Sequence, residues 1–164
     1  MLPYRIGIGH DTHRLEPGGP LRLGGIDVPF DRQAVGHSDA DVLLHAITDA
    51  LLGAVALGDI GEMFPDTAAE NRGRDSGQML ELAFQKVWEL GYRVNNLDCI
   101  VFAERPKLKE YKSQIAARIA GLLRIETSQV SVKAKTGEGV DAIGTLQAIA
   151  AQCVVLLVHR ENGI

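Results

Sequence analysis

YRIGIGHDTHR, residues 4–14, carries the alternation of a β-strand into a cluster of polar, chemically able side chains. Residues 4–8 read as the strand itself. Side chains on a strand point alternately to opposite faces, so Asp11 and His13 share one face while His10 and Thr12 take the other. A carboxylate beside an imidazole at the end of a strand raises the question of what third group joins them.

The next regular segment offers one. Ser38-Asp39 marks the start of a helix running to about Val55, with Ser38 and Asp41 at capping-box-like spacing. Val42, Leu43, Ala46, Ile47, Ala50 and Leu51 recur at helical spacing and form its apolar face. Asp41, His45 and Asp49 lie four apart and make one polar stripe, which contains no Lys or Arg. His45 there reads either as a satisfied helix histidine or as a ligand. With Asp11 and His13 it would complete an N/N/O set for Zn²⁺ with a fourth position open, and one of the two helix acids could orient its ring. His37-Ser38 sits where the same helix begins. Free N–H groups and the helix dipole favour an anion there, although Ser38 could simply cap the helix.

Beyond these, LEPGGPLRLGGIDVPF (residues 15–30) reads as a loop and short hairpin, and residues 58–75, long, polar and Gly-rich, read mostly as a loop. A helix follows from about Ser76 to Leu90, ended by Gly91, with Trp88 in packing. A strand spans about Asn96 to Glu104, a helix starts near Pro106 and continues to about Leu123, and Val130–Lys135 alternates as a strand. An apolar stretch from Ile149 to Val158 closes the pattern. Interleaved strands and helices imply an α/β (α+β) fold with helices on one face of a β-sheet.

Composition sets the broad class. A length of 164 residues suits one catalytic domain, and 46% hydrophobic with 23% charged residues is ordinary for a folded globular protein. A net charge of −4 gives no reason to expect nucleic acid as partner. MLPYRIGIG lacks a charged segment followed by an apolar leader, and the run Cys153 to Val158 is too short to span a bilayer. Cys99 and Cys153 each sit in an apolar run without CxxC spacing, as buried thiols do. A cytoplasmic protein with no membrane association is the expectation.

KAKTGEG, residues 133–139, leaves a strand for a glycine-rich turn carrying the Thr136 hydroxyl and the Glu138 carboxylate. That combination suits a phosphate with a hard cation such as Mg²⁺, but a surface hairpin turn has the same composition.

Taken together, GHDTHR, HSDADVLLHAITDALLGAVALGDIGEMFPD, AERPKL and KAKTGEG resemble the 2-C-methyl-D-erythritol 2,4-cyclodiphosphate synthases of the non-mevalonate isoprenoid pathway. The resemblance implies a mixed β-sheet with helices packed on one face, in a homotrimer with active sites between subunits. It implies a phosphorus–oxygen lyase that cyclises 4-diphosphocytidyl-2-C-methyl-D-erythritol 2-phosphate and releases CMP. One Zn²⁺ per subunit falls on Asp11, His13 and His45, and Mg²⁺ or Mn²⁺ on Glu138 with the substrate diphosphate. His37 and Thr136 match the positions that polarise the transition state. Substrate contacts fall on Asp11, His13, His37 and Ser38, and on Asp59, Ile60, Gly61, Phe64, Pro65, Asp66, Thr67 and Ala68. The cytidine diphosphate falls on Ala103, Glu104, Arg105, Pro106, Lys107, Leu108 and Lys109, and on Lys135, Thr136, Gly137 and Glu138. The chain departs from the family pattern at Lys135, where a threonine is common, and at Thr145 and Gln147, where arginine and glutamate are common. A metal-dependent phosphohydrolase and a trimeric binding module with structural zinc are the rival readings.

Overall fold

The computed structural model describes residues 3–162, so Met1 and Leu2 of the stretch read for a leader lie outside the described residues. The opening strand, β1, runs Tyr4–Pro17, well beyond Ile8. Two successive partners account for its length: Tyr4 to Arg14 pair with β7 (Ala148–His159), and Leu15 to Pro17 pair with β4 (Arg32–Ala34). Asp11 and His13 therefore sit inside a paired strand, not at its end.

The remaining elements are the hairpin β2 (Leu21–Leu23) and β3 (Ile26–Val28), then α1 (Val42–Ala54), α2 (Ile60–Met63), α3 (Ser76–Glu89) and β5 (Tyr92–Phe102). After them come α4 (Lys112–Leu123), β6 (Val130–Lys135) and α5 (Asp141–Gly144) before β7. The main sheet has the order β4-β1-β7-β5-β6 and is mixed, because β5 and β6 pair in parallel while its other pairings are antiparallel. α1 packs on β1 and β7, and α3 packs on α1 and on α4. The helices thus cover one face, and the core between them and the sheet includes Leu43, Ile47, Leu51, Leu80, Ile119, Cys99 and Cys153. The two cysteines are free, buried and directly opposite across β5 and β7.

Two glycines determine how α1 meets β1. A Cβ on Gly7 would stand 1.9 Å from the Ala50 carbonyl oxygen, and one on Gly9 would stand 1.8 Å from that of Ala46. Neither distance is tolerable for a real side chain, so the strand surface here is bare backbone and the helix lies directly on it. Ala46, Ala50 and Ala54 recur every fourth residue and supply the matching small stripe on α1.

Several boundaries differ from the sequence reading. α1 begins at Val42, and its cap is Asp41, not Ser38. The Asp41 carboxylate accepts the N–H of Leu44 at 3.0 Å and those of Gly24 and Gly25 at 2.9 and 2.7 Å. Residues 58–75 are not simply a loop, since α2 forms within them, capped by Asp59, and a 3₁₀ turn spans Ala69–Asn71. The helix expected from Pro106 starts only at Lys112. The Leu108 carbonyl accepts the N–H groups of both Tyr111 and Lys112, a turn that tucks buried Leu108 into the core before the helix begins. β5 starts at Tyr92, four residues early, immediately after Gly91, which ends α3 at φ 86° as expected.

Gly9→Ala should therefore destabilise the fold by at least the ~1–3 kcal/mol typical of overpacking, because backbone cannot swing aside. Gly121→Ala is the contrast: it lies within α4 with nothing within 4 Å of its added Cβ, and should stabilise by about 0.5–1 kcal/mol. Urea unfolding of both variants tests the pair.

Candidate metal centre and active-site cleft

The helix–strand contact carries His45, next to Ala46, onto Asp11, two residues beyond Gly9. The ligand atoms form a near-equilateral triangle: His13 Nε2 lies 2.9 Å from Asp11 Oδ2, His45 Nδ1 lies 3.0 Å from the same oxygen, and the two ring nitrogens are 3.1 Å apart. Among the described residues these three make the group able to hold a metal ion.

Hydrogen bonding fixes what faces the centre of the triangle. His13 Nδ1 lies 2.8 Å from the Val35 carbonyl oxygen, which can only accept, so Nδ1 carries the ring proton and Nε2 presents a lone pair inward. On His45, Nε2 is engaged on the far side by the hydroxyls of Ser76 at 2.8 Å and Ser38 at 3.0 Å, leaving Nδ1 to the triangle. Two imidazole lone pairs and a carboxylate oxygen at this separation repel unless something positive lies between them. The donor set and its open side fit a divalent cation such as Zn²⁺.

A proton can take the cation's part, and then the same groups attract. Burial pushes Asp11 upward, yet hydrogen bonds and charge from His13 and His45 outweigh it and hold the carboxyl well below the usual range. Burial likewise lowers His13, but the Asp11 carboxylate beside it wins and raises the imidazole above its ordinary value.

The triad opens into a cleft of about 510 Å³ that also involves His37, Ser38, Ile60, Gly61, Phe64, Asp66, Asn71 and Met79. Its lip is anchored by short links. Asp49 accepts the Ile60 N–H at 2.7 Å, Asn71 donates to the Pro65 carbonyl at 2.9 Å, and Arg74 lies over the Phe64 ring at 5.1 Å. His37 and Asp66, both largely exposed, face each other at 3.7 Å. Thr67 is exposed and Ala68 half-buried beside this lip.

The other expected residues gather elsewhere. Ala103 and Lys135 join the ends of the parallel strands β5 and β6 through an N–H to carbonyl bond of 2.9 Å. Glu104 accepts the Gly137 N–H at 3.0 Å, and the Thr136 hydroxyl accepts that of Glu138 at 3.3 Å. Gly137 must be glycine, since a Cβ there would stand 2.4 Å from the Gly144 nitrogen. Arg105, Pro106, Lys107, Leu108 and Lys109 continue from this corner, and none of the residues from 103 to 109 or 135 to 138 lines the triad's cleft. These residues thus form a second cluster, apart from the triad's cleft.

One expectation about His45 needs correction. Neither helix acid orients its ring: Asp41 is spent on Gly24, Gly25 and Leu44, and Asp49 on Ile60. Ser76 does so, with Asp39 behind it, and only the fold brings Ser76 to the site.

Cation binding should compete with a proton. In the metal-free protein the His13–Asp11 pairing stabilises the fold below the ordinary imidazole value, and that contribution is lost as pH rises through His13's raised one. A cation takes the same lone pair, so its affinity moves the other way. Competition against a chelator should show affinity tightening from about pH 6 to 8 with proton release, and a pH-independent affinity would contradict the assignment.

The chain is similar to known proteins over nearly its whole length. A 2-C-methyl-D-erythritol 2,4-cyclodiphosphate synthase of Rhodopirellula baltica is 55% identical over 159 residues, covering 97% of this chain and 96% of that protein. The bifunctional IspDF of Campylobacter jejuni superposes with a TM-score of 0.91 at 38% identity, over 95% of this chain, which spans only 42% of that larger one. A 2C-methyl-D-erythritol-2,4-cyclodiphosphate synthase in a CDP-bound form superposes at 0.87 with 38% identity, over 93% of this chain and 99% of that one. Matched to the family model over residues 4–158, the chain belongs to the YgbB family, that of the 2-C-methyl-D-erythritol 2,4-cyclodiphosphate synthases.

Proposed function

We propose that the chain, as one catalytic domain, converts 4-diphosphocytidyl-2-C-methyl-D-erythritol 2-phosphate into 2-C-methyl-D-erythritol 2,4-cyclodiphosphate and CMP. The observation that carries this reading is the convergence of Asp11, His13 and His45 at the floor of a cleft, in a chain 55% identical to a synthase of that name. In the reaction a 2-phosphate oxygen attacks the β-phosphorus, a new P–O bond forms, and the bond to the α-phosphate oxygen breaks as CMP leaves. The atoms balance without water and without a protein nucleophile.

Charge is the main obstacle. One pair of unit charges at 4 Å repels by about 4 kcal/mol at an effective dielectric near 20, and phosphate and diphosphate bring several such pairs together. A Zn²⁺ on the triad, with Mg²⁺ or Mn²⁺ on Glu138, would supply Lewis-acid neutralisation of that charge. The protein's own part is positioning. His37 and Ser38 bind the phosphate end at the cleft, and His37 and Thr136 polarise the reacting groups. The segment from Asp59 to Ala68 folds over the methylerythritol end and keeps water away. Residues 103 to 109 and 135 to 138 hold the cytidine diphosphate.

The triad's cleft and the second cluster must meet for this chemistry, which supports a homotrimer with active sites between subunits. The sheet face opposite the helices supports it too. Ile6 is 72% and Ile8 64% exposed on β1, and Ile8 stands opposite exposed Val154 on β7. An apolar strip of this kind is what a subunit interface covers. Among the described residues no helix is long and apolar enough to cross a membrane. The reading places the enzyme in the cytoplasm with a small-molecule partner.

Incubation with the cytidyl substrate should give CMP and the cyclic diphosphate in equal amounts, whereas an acyclic phosphate would indicate a hydrolase. His45→Ala should strip the cation and lower turnover by more than the ~10–100-fold that losing an outer-shell partner costs; normal zinc content and activity would identify the wrong ligands.

Ile8→Asp should dissociate the assembly and abolish activity together, since it removes an apolar contribution of ~1.5–3 kcal/mol per subunit and buries a charge. Light scattering that shows an unchanged trimer, or an active monomer, would count against this assembly.

A further inference from the structure

Behind His45, on the side away from the triad, lies a pair, buried Ser76 and half-buried Asp39, that the proposed reaction does not use. Ser76 is the first residue of α3 and fully buried. Its hydroxyl stands 2.8 Å from His45 Nε2 and donates a hydrogen bond to Asp39 Oδ1. The other carboxylate oxygen of Asp39 accepts the Ser76 backbone N–H at 3.0 Å, so both atoms that fix the serine are held by one residue. Asp39 is itself anchored: it accepts the Asp41 N–H at 3.2 Å, and Arg22, which reaches 3.7 Å from Asp75, lies 3.9 Å from it.

Counting protons decides the state of the ring. A hydroxyl has one proton to donate and an ionised carboxylate has none. Ser76 gives its proton to Asp39, so it meets His45 with a lone pair, and Nε2 must carry the hydrogen. A neutral imidazole has one N–H, which leaves the Nδ1 lone pair aimed at Asp11 and His13. Ser38 cannot make this choice. Its hydroxyl lies 3.0 Å from Nε2 and accepts the Ala40 N–H, but its own proton is free to turn toward or away from the ring, so it fits either tautomer.

We infer that Asp39, acting through Ser76, is a positioning residue that holds His45 as its Nε2–H tautomer and thereby sets how tightly the triad retains its cation. The chain Asp39–Ser76–His45 plays the part that a directly bonded carboxylate plays behind many metal-ligating histidines, with a hydroxyl inserted between. It also ties the metal centre to the start of α3, 31 residues from the ligand it orients. The inference rests on the cation-site reading above, and the test separates the two.

Zinc-loaded parent, Ser76→Ala, Ser76→Thr and Asp39→Ala are compared for zinc loss to excess chelator, and the same proteins after zinc removal for the nitrogen-15 signals of the His45 ring. Ser76→Ala should release zinc about 10–100-fold faster, and Ser76→Thr, which keeps the hydroxyl, should stay near the parent. Asp39→Ala frees the serine proton to donate to Nε2, and should show a mixture of ring tautomers where the parent shows Nε2–H alone. Parent-like zinc release in Ser76→Ala, equal acceleration in Ser76→Thr, or a parent ring protonated on Nδ1 would each overturn the inference. A parent that takes up no stoichiometric zinc would overturn the cation-site reading beneath it.

Discussion

The contact between the bare backbone of Gly7 and Gly9 and the alanine stripe of α1 is the constraint on which the rest of the molecule hangs. Two strand residues advance about 6.8 Å and four helix residues about 6 Å, so strand and helix keep step as they run in opposite directions. Gly7 meets Ala50 and Ala54, and Gly9 meets Ala46 and Ala50. One step further along β1, Asp11 comes alongside the turn of α1 that carries His45. Any side chain at the two glycines would lift the helix and open the triangle of ligand atoms, so packing and chemistry are set by the same contact.

Around that contact the polar groups are satisfied one by one. Asp41 is fully buried, and its burial pushes the carboxyl upward while three backbone N–H groups pull the other way. Two of these come from the turn at Gly24 and Gly25, whose φ values of 61° and 77° aim successive N–H groups at one carboxylate. A single aspartate therefore caps α1 and pins the β2–β3 hairpin to it. The triad is the place where satisfaction stops: His13 is oriented by Val35 and His45 by Ser76, and their remaining lone pairs are left facing Asp11. A group of acceptors held together by a rigid frame is a site prepared for a cation.

The cluster around Glu104 and Gly137 follows a different logic. It stands where the parallel strands β5 and β6 end, the usual place for a ligand in such sheets, and Gly137 lets the turn close against α5. The triad's cleft lies elsewhere on the chain. The exposed apolar sheet face gives the proposed trimer its physical motive, since a subunit interface would bury it.

Much of this was legible in the amino-acid order, and the limits are instructive. A period of two placed Asp11 and His13 on one face, and a period near four placed His45 on a polar stripe; both survive in the structure because periodicity is a property of the local chain. The α/β class, Gly91 as a helix end and the buried cysteines follow from equally local signals. The starts of α1 and α4 and the full length of β1 do not, because each is set by a distant partner: the Gly24–Gly25 turn, the core around Leu108, and β4. The same holds for the groups that orient the ligands. Asp41 and Asp49 share the helix with His45, yet the ring answers to Ser76 and Asp39, which meet across 37 residues. Residue order determined which side chains could act and which face they share. Only the tertiary fold decided which hydrogen bonds they make, because a donor and an acceptor far apart in sequence pair only once packing has brought them within reach.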